Sequence, residues 1–126
     1  MSVTASTSGS LTLTDSAAST STLSKVLSAT FAGTECSTAQ SLLVGTSATP
    51  LTLPLSPINF LYIKNLSGAA TLTVSWTPNA GASAVVLTLQ PGAYIHFAEP
   101  LAGSGITALS VQASAASTPI EFWLLG

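Results

Sequence analysis

Thr71-Leu72-Thr73-Val74-Ser75-Trp76 decides the fold. Leu72, Val74 and Trp76 occupy every second position, and hydroxyl residues fill the gaps. Side chains of a strand point alternately to its two faces, so this run reads as a strand with one apolar and one hydroxyl face. The same period continues downstream. Val85, Leu87 and Leu89 repeat it before Pro91-Gly92, and Ala93, Ile95 and Phe97 then oppose Tyr94, His96 and Ala98. Leu109, Val111 and Ala113 follow, then Ile120, Phe122 and Leu124. Upstream, Ile58–Leu66 is apolar on both faces, which suits a central strand, and Leu42–Val44 ends at Gly45. Leu51–Leu55 lies between Pro50 and Pro57 and reads as an edge strand or an extended crossing.

Chain breakers separate these runs: Ser67-Gly68, Pro78-Asn79 with Gly81, Pro91-Gly92, Gly103–Gly105 and Ser117–Pro119. About eight or nine short strands with no helix to cover their faces predict an all-β fold. An antiparallel two-sheet sandwich is the natural way to bury such faces, and the strand count favours a jelly roll. Residues 1–22 are rich in Ser, Thr, Ala and Gly and read as an extended N-terminal arm with one short strand, Leu11–Thr14. Residues 23–31 fit a strand better than a helix because of their Ser and Thr content. The expected organisation is therefore an arm over 1–22 and a single β-sandwich domain over 23–126, which suits 126 residues.

Charge is scarce. Lys25, Lys64, Asp15, Glu35, Glu99 and Glu121 are the charged residues, and they make up 5% of the chain. An ordinary soluble domain carries roughly 25%. Two lysines far apart in sequence and a net charge of −2 give no basic footprint for nucleic acid or for a membrane surface. No apolar run reaches the ~18 residues that span a bilayer. Residues 1–20 lack the basic and apolar regions of a secretory signal, and Cys36 has no second cysteine to pair with. A surface this poor in charge is dressed in hydroxyls or covered by neighbours, and cover by neighbours is the expectation.

From Gly45 onward the chain resembles small accessory virion proteins of tailed bacteriophages. The resembling pieces are Gly45–Leu51 (GTSATPL), Leu61–Leu66 (LYIKNL) with Ser67-Gly68, Leu89–Gly92 (LQPG) after a hairpin, and the terminal Ile120–Leu124 (IEFWL). They cover about two thirds of the chain, and each piece is generic β-strand vocabulary. The resemblance implies a jelly-roll domain carried on a virion and made in the host cytoplasm. Its role would be capsid cement or decoration, or alternatively a tail or baseplate part. It also implies a homo-oligomer, a trimer by the same likeness, with the major capsid protein among its partners.

The residues offer little chemistry. His96 is the one histidine, and a nucleophilic pair with Cys36 has no supporting motif. The carboxylates are scattered, no His/Cys spacing suits zinc, and no acidic loop suits calcium. Gly103-Ser104-Gly105 lacks the strand–turn–helix setting of a phosphate loop. No catalytic residue, cofactor or metal is expected, and the chain reads as a non-enzymatic structural module. Its candidate contact residues are Leu11 and Leu13 in the arm, Lys64 (with Asn65 beside it), Tyr94 and His96, and Trp123 with Leu125 on the outward side of the last strand. Trp76 continues the Leu72/Val74 face and belongs to the core. The competing reading for Trp76, Trp123, Tyr62 and Tyr94 is an aromatic surface that stacks on sugars, as in carbohydrate-binding modules. The arm is the candidate for exchange between subunits.

Overall fold

A computed structural model describes residues 3–14, 22–33, 41–54, 56–78, 82–98 and 105–126. Every regular element among them is a strand. These are β1 (Val3–Thr14), β2 (Thr22–Gly33), β3 (Ser41–Val44), β4 (Thr49–Pro50) and β5 (Phe60–Asn65). Then come β6 (Leu72–Pro78), β7 (Val85–Leu89), β8 (Tyr94–Ala98), β9 (Ile106–Ala113) and β10 (Thr118–Leu125).

Strands β3 to β10 form two antiparallel four-stranded sheets, ordered β3-β10-β5-β8 and β4-β9-β6-β7. The first of the eight pairs with the last (β3 with β10) and the second with the seventh (β4 with β9). β5 pairs with β8, and β6 with β7. This is one long hairpin ribbon rolled up, the jelly-roll order. The two sheets face each other across a shared apolar core.

Alternation supplies that core. Leu72, Val74 and Trp76 point inward from β6, Ile120, Phe122 and Leu124 from β10, and Leu61 and Ile63 from β5; all are buried. Each fully buried Leu or Ile contributes about 1.5–3 kcal/mol relative to exposure. Trp76 meets Phe97 of the opposite sheet at a ring-centroid distance of 6.3 Å, so the expected core tryptophan is in place.

Of the two readings of Leu51–Leu55, the edge strand is absent from residues 51–54, and the short strand β4 lies just before them at Thr49–Pro50. Leu51 N–H still donates to Leu109 O at 2.9 Å, but Pro54 can donate nothing, and regular pairing stops.

The N-terminal strand is longer than the predicted Leu11–Thr14. β1 pairs with β2 over all its length in a separate two-stranded sheet, with Leu11 opposite Lys25 and Leu13 opposite Leu23. Residues 23–31 are thus a strand as expected, but one that joins neither sheet of the sandwich. β1, the element expected to be exchanged between subunits, is paired within its own chain. Asp15, Glu35, Cys36, Glu99, Gly103 and Ser104 lie outside the described residues.

A candidate docking face on the first sheet

The outer face of the β3-β10-β5-β8 sheet gathers most of the residues that the sequence reading picked out. Strand β5 sits between β10 and β8, with Tyr62 opposite Trp123 on one side and opposite His96 on the other. Lys64 lies opposite Glu121 and Tyr94. Directly opposite residues share a side of the sheet, so Lys64, Tyr94, His96 and Trp123 occupy one surface together with Tyr62 and Glu121. Leu43 extends it onto β3, opposite Pro119.

The rings form a continuous band. Tyr62 stands 5.6 Å from Trp123 and 6.1 Å from Tyr94, centroid to centroid, tilted by 41° and 37°. Phe60 lies 5.2 Å from His96. Tilted pairs at these distances are attractive beyond the area they bury, by about 0.5–1.5 kcal/mol each. The band is nonetheless open to solvent: Tyr94 is 65% exposed and Trp123 50%. At its β3 end, an open groove is lined by Leu43, Leu66, Pro119 and Ile120.

Lys64 and Glu121 are the only charged residues described between positions 41 and 126, and they face each other in the middle of this surface. A cross-strand pair of opposite charges is worth roughly 0.2–1 kcal/mol. Glu121 also acts on Tyr62. Burial raises the Tyr62 phenol above its ordinary pKa of 10.0, and the Glu121 charge, a hydrogen bond to Glu121 and neighbouring Tyr94 raise it further. A raised phenol pKa means that the folded chain holds this proton more tightly than the unfolded chain. Its contribution to stability is therefore complete below about pH 10 and fades as the pH rises through the folded value. Urea melts between about pH 8 and 11 will show a loss of stability that Tyr62→Phe reduces. An identical alkaline decline in the variant would remove Tyr62 as its source.

Two expected contact residues behave differently. Leu125 is 3% exposed and is buried by its own chain, so it offers nothing to a partner. It shares the outward side with Trp123, but it lies opposite Phe60, which is also buried. Asn65, expected beside Lys64 at a subunit contact, points inward and is fully buried. Its Nδ2 donates to Ala70 O at 2.8 Å, Gln90 O at 3.2 Å and Leu89 O at 3.4 Å. Its Oδ1 accepts from the Ser67 backbone N–H at 3.0 Å. Asn65 is a staple between two turns. Side chains of Leu11 and Leu13 are not among those described.

Glu121, Leu43 and Leu66 complete the face, and the sequence reading did not single them out as contacts. Glu121 and Leu43 carried a signal, since each falls on the outward phase of its strand. Among the described residues no group of three or more His, Cys, Asp or Glu side chains stands together. No family model matches the chain, and neither does any curated protein or solved structure, so the likeness to phage accessory proteins rests on the sequence pieces alone.

Proposed function

We propose that this chain is a non-enzymatic structural module that attaches to neighbouring protein subunits through the outer face of its first sheet. The observation that carries the reading is the band of exposed Trp123 and Tyr94 with half-buried Tyr62 between them on one sheet face. Contiguous exposed apolar surface marks interaction sites, and tryptophan and tyrosine are the residues that most often dominate them. Covering the band yields about 25 cal/mol for each Å2 of apolar area removed from water. The sequence likeness supplies the setting: a cement or decoration subunit on a phage particle, contacting the major capsid protein and other copies of itself.

With one Lys–Glu pair on the face, little Coulomb energy is available for salt to screen. Particles washed in about 1 M NaCl are expected to keep the protein, because charges contribute little to its hold. Trp123→Ala is expected to lose particle binding. With the Tyr62 ring contact gone and half of the residue's burial lost, unfolding free energy should also fall by roughly 1–3 kcal/mol, so binding is compared where urea melts show both proteins folded. Release by salt, or full binding by the variant, would overturn the reading.

The same rings favour one second reading. The C–H face of a sugar ring is apolar and stacks on aromatic side chains, while Lys64, Glu121 and the tyrosine hydroxyls are placed to bond its hydroxyls. A receptor-binding or carbohydrate-binding module would then be the function. Titrating a glycan panel against Trp fluorescence separates the two: quenching that Trp123→Ala abolishes supports sugar, and no response supports a protein surface.

A further inference from the structure

The β7 edge of the second sheet is open in two ways. Among the described residues its only strand neighbour is β6, so every second residue of Val85–Leu89 turns its backbone N–H and C=O groups away from the sheet. Its inward side chains are also uncovered. Val85 and Leu87 share the inner side with Trp76 and Val74, which are buried, yet they are 41% and 39% exposed. Phe97 of β8, the edge strand of the first sheet, meets Trp76 of β6, one strand inside β7.

Natural edge strands are guarded by charge, proline or a bulge. Val85-Val86-Leu87-Thr88-Leu89 has none of these, and its pairing with β6 is regular throughout. Val86, on the outer side, is 63% exposed. Unpaired backbone groups along a β-branched, uncharged strand select one kind of occupant, another extended strand.

We propose that the occupant is β7 of a second copy, antiparallel and centred on Leu87. In that register Leu87 faces Leu87, Val85 faces Leu89, and Val86 faces Thr88. All five residues pair, whereas centring on Val86 or Thr88 pairs only three. Directly opposite residues lie on one side of a sheet, so the inner apolar row of one copy continues into that of the other. No charge occurs anywhere from 82 to 93, so self-pairing brings no like charges together. The result is one eight-stranded sheet running through a two-fold dimer. The pairing does not use the aromatic face, so attachment and self-pairing can fail separately.

Sedimentation of the full chain at about 0.1 mM is expected to show a dimer, and Val86→Lys to weaken it at least tenfold. Cross-linking fixes the register. In a Cys36→Ser background, Leu87→Cys is expected to oxidise to a covalent dimer, because opposite Cα atoms about 4.5–5.5 Å apart suit a disulfide. Val86→Cys, facing Thr88, is expected to cross-link at least tenfold less. A monomer at this concentration, a trimer, equal cross-linking at both positions, or a dimer indifferent to Val86→Lys would each overturn the proposal. Should Leu87→Cys fail to fold, the Val86→Lys comparison still decides it.

Discussion

Gly105→Ala is expected to lower the unfolding free energy by about 2–4 kcal/mol, because both its backbone and its surroundings exclude a β-carbon. Gly105 has φ +137°, a region that residues with side chains rarely adopt. Holding one there costs of order 1–3 kcal/mol. The added carbon would also collide with Ile58 O and stand 2.9 Å from Asn59 Oδ1. Ile58 O cannot move aside cheaply. It accepts from Ile106 N–H at 2.9 Å, and Ile58 N–H donates to Ile106 O at the same distance. Both isoleucines are fully buried, and this bridge ties the chain entering β5 directly to the start of β9. Relief of the clash must therefore loosen two hydrogen bonds worth about 0.5–1.5 kcal/mol each. Gly68→Ala is the control. Nothing lies within 4 Å of its added carbon, and the change should stay within about 0.5 kcal/mol. Urea midpoints at unchanged slope measure both variants, and equal shifts would refute the argument.

Asn65→Ala is expected to cost about 2–3 kcal/mol, since it takes the donor from a buried carbonyl and the acceptor from a backbone N–H. A buried carbonyl left without a donor costs about 1–3 kcal/mol, and Ala70 O loses its bond from Nδ2, whereas Gln90 O keeps the Ala93 N–H. The Ser67 N–H loses its acceptor as well. The backbone around Asn65 is engaged too: its N–H donates to Ala93 O at 2.9 Å, and its O accepts from Gly92 N–H at 3.1 Å. Asn65→Asp should be worse than alanine at neutral pH, because it turns a carboxylate toward carbonyl oxygens in a buried site. Burial raises such a group's pKa above its unfolded value, so its protonated form is the better tolerated. The Asp variant should recover stability as the pH falls toward its unfolded pKa of about 4 and lose it as the pH rises. An Asp variant as stable as wild type at pH 7 would show that the staple carries no weight.

This staple explains what two of the sequence pieces do for the fold. Leu61–Leu66 carries Asn65, the last residue of β5, and Leu89–Gly92 forms the turn it grips. Gln90 O accepts from Ala93 N–H at 3.0 Å with Gly92 at φ +77° between them. Proline followed by a residue with positive φ is the demand of a type II turn, and Pro91-Gly92 meets it. The turn was legible in the dipeptide. Its dependence on an asparagine 25 positions earlier was not, because a side-chain-to-backbone bond leaves no periodic trace.

The rest divides along the same line. By itself the sequence determined β3 and the strands from β5 to β10, the all-β class, and which tryptophan is core and which faces out. These follow from a period of two, a local property of the chain that Trp76 and Trp123 obey on opposite phases. Tertiary structure decided which strands are neighbours. Lys64, Tyr94, His96 and Trp123 share one face only because β5 sits between β10 and β8. Leu125 has the same outward phase as Trp123 and is buried, and Val85 has the inward phase and is exposed. The twelve-residue pairing of β1 with β2 was equally hidden in a Ser/Thr-rich segment with little apolar alternation. The physical reason is common to all of these. Strands are joined by backbone hydrogen bonds that are alike for every residue, so alternation tells which way a side chain points. What meets it there depends on where the rolled-up ribbon brings its neighbours and where each sheet ends.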